Sequence, residues 1–421
     1  MSSVDSRVLV VGTTPDYVEY IAKAFPGRAL FLTDPAVRND ARQPAPEVEV
    51  EVLINLLDAS AVESTVVEHL QRWRLDLSGI ACFDCESMEL AAILAERFGL
   101  SYPSLGAMLL CRDKLRCKQM WQRAGVMCPR TIQVWDVADV AGFMADCGGP
   151  IVLKPLTGSG SELVFRCDDQ QAAAEAFDML RDGLASRAGC RMYRSLAEGG
   201  TPPVIAEQCI SGTEYSCDVV VDLGSAELIR VARKYHRMGV PFGTIRAYEL
   251  PATPPEVDPA NLAALVFQAA DALGLDRAMC MIDFVVHDGR VVFLEMAPRP
   301  GGDCLPALIR QSSGLDILGA HLDFAEGKPL RIPPTECWDR LIGLRIHADR
   351  EGIVESIRTE RLDQDKRIRE VTFLRARGDM VQLPPQDYDS WLLGHVIFQP
   401  RDGDIESQCD EIASGIMANL I

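Results

Sequence analysis

Apolar and polar positions along the chain follow two rhythms. Short runs of Val, Ile, Leu and Phe bounded by turn residues predict buried strands, and apolar residues spaced three and four apart predict helices. Residues 7–11 read as a strand. Thr14 then offers a helix cap and Pro15 suits a first turn, so a helix is expected to run to about residue 24. A strand at 29–32 is followed by a polar stretch holding prolines and acids. Another strand at 80–83 feeds a helix at 86–98, with Leu90, Ile93, Leu94 and Phe98 on one side. This alternation predicts a small parallel α/β layer.

Residues 112–126 predict one amphipathic, cation-rich helix with Gly125 as its stop. A strand at 151–155 then carries Lys154 at its end, and the loop Leu156-Thr157-Gly158-Ser159-Gly160-Ser161-Glu162 leads into a strand at 163–167. Backbone N–H groups around Gly158, Ser159 and Gly160 can cradle phosphate oxygens, with Lys154 supplying charge at the root of the loop. Hairpins use the same residues, and no GKS or GKT opens a helix here, so this is not a Walker A loop. Likewise the lone Gly12 after the first strand is no dinucleotide fingerprint.

Residues 204–219 read as strand, connector, strand. Glu207 and Glu214 bracket the connector, either as acceptors for a ribose and a base or as exposed loop acids. A strand at 226–232 leads to Lys234-Tyr235-His236-Arg237, a cationic cluster that suits a terminal phosphate or a surface turn. A helix at 259–273 follows. Later come a helix near 315–325 and a β-rich segment from 341.

The densest signal lies at 281–302. Two apolar strands flank Asp288-Gly289, the mark of a tight hairpin. An unpaired buried carboxylate is costly, yet Asp283 sits in the first strand and Glu295 ends the second. Pairing sets these acids side by side, where they repel unless a cation lies between them. Few hard oxygen ligands suit Mg²⁺ when phosphate oxygens complete its shell. Arg299 and the Pro300-Gly301-Gly302 turn follow, a guanidinium for an oxyanion beside a backbone that a ligand can approach. The same spacing also serves a structural acid–arginine pair.

Composition narrows the function. The 421 residues suffice for several domains, and 48% hydrophobic with 24% charged residues is ordinary for a soluble enzyme. A net charge of -19 argues against nucleic-acid partners and anionic membranes. The cysteines are scattered in apolar runs, Cys82 and Cys85 lack a second pair at zinc-site distance, and no leader or membrane-length apolar run is present. A cytoplasmic, reduced protein is expected.

Taken in order, these stretches resemble the ATP-grasp fold of carboxylate–amine ligases. Asp113-Lys114-Leu115-Arg116 with Trp121, Gly125 and Pro129 is similar to the segment by which D-alanine–D-alanine ligases place a nucleotide-contacting lysine. The resemblance implies that Lys114 and Lys154 contact nucleotide beneath a flap at Gly158, Ser159 and Gly160. Glu207 would lie by the adenine amino group, the backbone of Cys209 and Ile210 by the base, and Glu214 by the ribose. Lys234 would meet phosphate, and Asp283 and Glu295 would hold Mg²⁺, or Mn²⁺ in its place. The sequence departs from the pattern at Ala297, where the family has a metal-binding Asn, and at Met281, where D-alanine ligases have Arg. Glu295-Met296-Ala297-Pro298-Arg299-Pro300-Gly301-Gly302 is closer to the L-amino-acid ligase and carboxylase-like branches.

The implied fold is α/β, with an N-terminal parallel domain at 1–105, an ATP-grasp domain at 106–335 with its flap at about 130–208, and a small β-rich C-terminal domain at 336–421. The implied reaction is ATP- and Mg²⁺-dependent. It activates a carboxylate as an acyl phosphate, joins it to an amine such as an amino acid, and releases ADP, with Arg299 and Lys234 as catalytic groups. His236, Arg246, Gly301 and Gly302 are candidates for substrate contact, and the ligases resembled are often homodimers. Phosphorylation of bicarbonate and a nucleotide binder without catalysis remain as alternatives.

Overall fold

The computed structural model describes residues 5–194, 203–237, 239–359, 362 and 364–421. Its first layer is a parallel sheet in the order Glu51–Leu53, Ala29–Thr33, Asp5–Val11 and Leu75–Ala81. Helices Pro15–Ala24, Ala59–Trp73 and Met88–Phe98 connect or follow these strands. Thr14 is the first N-cap but makes no side-chain bond, whereas Asp58 accepts from the backbone of Ser60 and Ala61 to start the second helix. That second helix, with its buried Val62 and Val66, is not among the elements expected from the sequence.

Next comes a break where a single helix was expected. Asp113 accepts from the Arg116 N–H at 2.8 Å and caps Lys114–Arg123, so Arg112 instead ends the preceding helix, Leu105–Arg112. Trp121 fixes the second helix in place: its indole N–H donates to the Ala269 carbonyl at 2.9 Å and its ring packs against Phe293.

The centre of the molecule is an antiparallel sheet. Its order is Arg290–Ala297, Ala278–His287, Thr213–Asp222, Ser225–His236, Ile245–Leu250, Leu341–His347, Leu392–Phe398 and Ile368–Phe373. The C-terminal strands therefore extend the sheet that carries the acidic hairpin. Ile80, Leu90 and Leu94 of the first layer share one core with Cys280, Ile282 and Phe293 of this sheet, which locks the two layers together. A separate sheet, Thr131–Val134, Val204–Gln208, Ile151–Pro155 and Phe165–Cys167, has its own core around Phe143, Leu153 and Phe177. It carries the glycine-rich loop.

Lys234 lies within the strand Ser225–His236, not in a turn after it. Helix Leu305–Ser313, begun by the Leu305 N–H donating to the Gly302 carbonyl at 3.2 Å, was also unforeseen. No helix among the described residues is long and apolar enough to cross a membrane, and every cysteine is a free thiol.

Trp121 has no exposed surface. Trp121→Ala is expected to cost about 3–5 kcal/mol, read as a lower urea midpoint with the slope preserved. An unchanged midpoint would contradict its role in fixing the helix Lys114–Arg123 against Ala269 and Phe293.

Candidate functional site

The hairpin places its acids as strand pairing requires. Asp283 is the direct cross-strand partner of Glu295, with a register shift immediately after Asp283. Lys234, two strands away, reaches Asp283 Oδ2 at 2.7 Å and Glu214 Oε1 at 2.8 Å. His236 Nε2 lies 3.0 Å from the other oxygen of Glu214. Lys114 Nζ lies 3.9 Å from Glu295 Oε2 and donates to the Gly158 carbonyl at 2.9 Å, fastening the loop over the acids. That loop needs small residues, since Gly158, Gly160 and Ser161 all have positive φ.

A second ionic group lies beside the first. Glu207 is buried between Lys154, 2.6 Å from its Oε2, and Lys118, which bonds its Oε1. Lys118 also donates to the Leu294 carbonyl at 2.8 Å, next to Glu295. Glu207 is thus the anchor of two lysines. Lys118 escaped the sequence reading, although its spacing of four from Lys114 puts both on one helix face.

Burial sets the proton affinities here. It pushes the Asp283 carboxyl up to about 6; Lys234 opposes the shift, and Glu295 and Glu214 add to it. Burial would also raise Glu214, but Lys234 and His236 overcome it and hold the carboxyl at about 2. Burial lowers the Lys154 amine to about 8 despite Glu207, because Lys118 and Lys114 repel its charge. For Lys234 burial is outweighed by Asp283 and Glu214, and the amine lies well above its ordinary value.

Two cavities meet at this cluster. One, of about 150 Å³, is lined by Lys154, Glu207, Cys209, Ile210 and Glu214, the residues that the resemblance assigns to nucleotide. The other, of about 290 Å³, is lined by Arg299, Gly302, Asp303, Tyr248, Arg345 and Trp391. Lys114, Gly158, Ser159, Lys234, Asp283 and Glu295 line both.

Arg299 Nε donates to the Cys85 thiol sulfur at 3.1 Å and its Nη1 to the Pro300 carbonyl at 2.8 Å. The turn after it is fixed from below. The Gly301 N–H donates to Asp218 Oδ1 at 2.9 Å, and Asp218 pairs with Arg230, both wholly buried. A Cβ at Gly301 would lie 2.6 Å from Arg230 Nη2 and 2.8 Å from Leu305 Cδ1, so only glycine fits. Gly301 therefore holds the loop, while Gly302 faces the larger cavity. Of the other substrate candidates, Arg246 pairs with Asp410 and His236 with Glu214, and neither lines a cavity.

The acids fit a divalent cation that shares its shell with a nucleotide. Asp283 Oδ1 is buried with no hydrogen-bond partner among the described residues. No group of three or more ligand side chains able to hold a metal occurs among those residues, so phosphate oxygens would have to complete the coordination. Ala297, paired with Met281, supplies no side-chain oxygen.

Residues 147–307 match the model of the ATP-grasp domain. A D-alanine–D-alanine ligase of Cupriavidus metallidurans is 26% identical over 259 residues, 58% of this chain and 73% of the ligase. Among solved structures, an L-amino acid ligase from Bacillus licheniformis superposes over 100% of both chains with a TM-score of 0.78 at 20% identity. The biotin carboxylase domain of a Hydrogenobacter thermophilus 2-oxoglutarate carboxylase, solved with MgADP, ADP and bicarbonate, gives 0.66 at 18% identity over 94% of this chain and 86% of its own.

Two outcomes are expected. Lys154 is charged below about pH 8 and neutral above it, so ADP affinity, read by calorimetry, should be flat to pH 7 and fall as pH passes 8. Lys154→Arg should abolish the fall, and a parent profile flat to pH 9.5 would contradict this. For Asp283 the folded state prefers the protonated form. Its charge therefore burdens stability increasingly from pH 4 to 6 and fully above. Asp283→Asn should melt no lower than the parent at pH 7 without nucleotide, while losing turnover; a markedly lower Tm would sink that assignment.

Proposed function

We propose that this chain, which carries an ATP-grasp domain within an ATP-grasp fold, is a ligase. It uses ATP to join a carboxylate to an amine through an acyl phosphate, releasing ADP and phosphate, with amino acids as the favoured substrates. The observation that carries this reading is the wall shared by the two cavities. Lysines, the acid pair and the glycine-rich loop stand where a nucleotide on one side can hand its terminal phosphoryl group to an acid on the other.

In this reading Cys209 and Ile210 border the base and Glu214 the ribose, while Lys114, Lys154 and Lys234 offset phosphate charge. Glu207 acts indirectly, keeping Lys154 and Lys118 in place. Asp283 and Glu295 would hold Mg²⁺, whose chemistry there is to neutralise phosphate oxygens and fix their orientation. A substrate carboxylate oxygen attacks the γ-phosphorus, the bond to the bridging oxygen breaks, and ADP departs. The amine, once its ammonium form has given a proton to solvent, attacks the acyl carbon; the carbon–oxygen bond to phosphate breaks, and the second proton from the nitrogen leaves with the phosphate. Arg299 presents Nη2 to the charge that develops, since among the described residues only its Nε and Nη1 are engaged by protein groups. Closure of the loop by Lys114 keeps water from the acyl phosphate. The enzyme would act on small molecules as a homodimer in the reducing cytoplasm, with which its free thiols accord.

The neighbour solved with bicarbonate favours a second reading, phosphorylation of bicarbonate. Both are tested by following ADP with ATP and Mg²⁺ across amino acids, singly and in pairs, with mass detection of products. ADP with a condensed product is expected. Release of AMP and pyrophosphate would overturn the acyl-phosphate route, bicarbonate-dependent ADP without amino acids would favour the second reading, and ATP binding without any ADP would point to a non-catalytic binder. Glu295→Gln and Arg299→Ala should each lower turnover by about 10²-fold or more; near-parental rates would remove that residue from the site.

A further inference from the structure

Most charged side chains around the larger cavity already have their atoms engaged. Lys114 and Lys234 belong to the acid cluster, and Arg112 is taken up by Glu89 and by the carbonyls of Met192 and Glu86. Asp303 and Arg345 differ. Arg345 Nε lies 2.7 Å from Asp303 Oδ2, with the side chains about 19% and 21% exposed respectively. Arg345 Nη1 donates to the Ile245 carbonyl at 3.1 Å. Asp303 is an exposed residue, its Oδ1 and Arg345 Nη2 have no hydrogen-bond partner among the described residues, and Arg345 Nε is buried with the Asp303 contact as its only polar neighbour there. Both residues line the cavity.

Asp303 has a φ of +60°, in the left-handed region that aspartate adopts more readily than most residues. It sits four residues beyond Arg299 on the same loop, while Arg345 comes from the strand Leu341–His347. Beside it, the His347 ring packs on Trp391 at 4.5 Å. Burial, then Arg345 and Arg237, pull that imidazole down to about 3, so it adds no charge. This wall therefore presents one anionic and one cationic hydrogen-bonding position, adjacent and jointly neutral.

We propose that Asp303 and Arg345 form the subsite for the amine substrate, and that this substrate is a free α-amino acid, its ammonium on Asp303 Oδ1 and its carboxylate on Arg345 Nη2. The assignment rests on the ligase reading, in which Arg299 and the acid cluster serve the carboxylate being activated. A zwitterion satisfies both positions, whereas a simple amine leaves the guanidinium facing nothing.

The test loads the full-length protein with Mg²⁺ and a non-hydrolysable ATP analogue. Calorimetry then compares each member of a panel of L-amino acids with its own decarboxylated amine. At least one amino acid should bind on the order of 10- to 100-fold more tightly than its amine. Arg345→Met should erase that preference, Arg345→Lys should restore part of it, and Asp303→Asn should weaken the amino acid, all with parental affinity for the nucleotide analogue. Absence of amino-acid binding to the loaded parent, or an unchanged preference in Arg345→Met, overturns the subsite. Product assays separate this from the reaction itself. Condensation by Arg345→Met at the parental KM for the amino acid removes the subsite and leaves the ligase, whereas Arg345-dependent binding without ADP release upholds the subsite and removes the ligase.

Discussion

Two carboxylates facing each other across a β-hairpin inside a protein repel strongly, and the arrangement persists only if cations share the space. Lys234 is the cation built into this chain. From a strand on the far side of Thr213–Asp222 it spans Asp283 and Glu214, tying the acids of the hairpin to the edge of the smaller cavity. Around it, Lys114, Lys118 and Lys154 answer Glu295 and Glu207. Removing Glu207 or Lys234, each of which answers two opposite charges, would leave its partners buried and unmatched, a loss of about 3–5 kcal/mol. The cluster therefore constrains the sheet, the helix Lys114–Arg123 and the loop-bearing layer together. Even so, Asp283 keeps one oxygen unpaired, so the balance is incomplete without a further cation.

The parts of this design that rest on local rules were legible in the sequence. Strand interiors exclude charge, so Asp283 and Glu295 stood out, and Asp288-Gly289 fixed their register. Lys154 followed by a small-residue loop was readable for the same reason. What failed to show depends on distant partners. Glu207 looked like a base-contacting acid or a loop acid, because nothing near it in sequence reveals that Lys118 and Lys154 converge on it. The expectation of one helix at 112–126 missed the capping power of Asp113, a local signal that was available. Lys234 was read as lying beyond a strand at 226–232, in a cluster suiting a terminal phosphate or a surface turn; the strand instead runs on to His236, and the ion pairs hold the lysine within it. Arg246 was a reasonable substrate candidate until Asp410, on a helix far along the chain, claimed it.

The C-terminal strands have a similar lesson. Leu341–His347 pairs with Ile245–Leu250 over Leu344 to Ala247 and its neighbours, so Arg345 and the hairpin acids sit in one hydrogen-bonded sheet. A sheet transmits position well because its ladders resist sliding by a residue, which would turn every side chain to the opposite face. The hairpin acids and the far wall of the larger cavity are therefore held at a fixed separation by backbone bonding.

The other side of the site is held differently. The glycine-rich loop belongs to a separate sheet with its own core, which the buried Glu207–Lys118 pair and Tyr388 anchor, but the loop itself is tied to the rest by polar bonds. Lys114 holds Gly158, and Arg187 bonds Glu162 while reaching the carbonyls of Pro385 and Gln386 in the C-terminal region. Polar ties of this kind break and re-form at small net cost, because water replaces each partner, whereas opening an apolar core does not. Lys114 touches both the loop and Glu295, so any ligand that draws this amine toward phosphate also changes what holds the loop shut. Occupancy of the smaller cavity and closure over the larger one are then two consequences of where a single ammonium group sits.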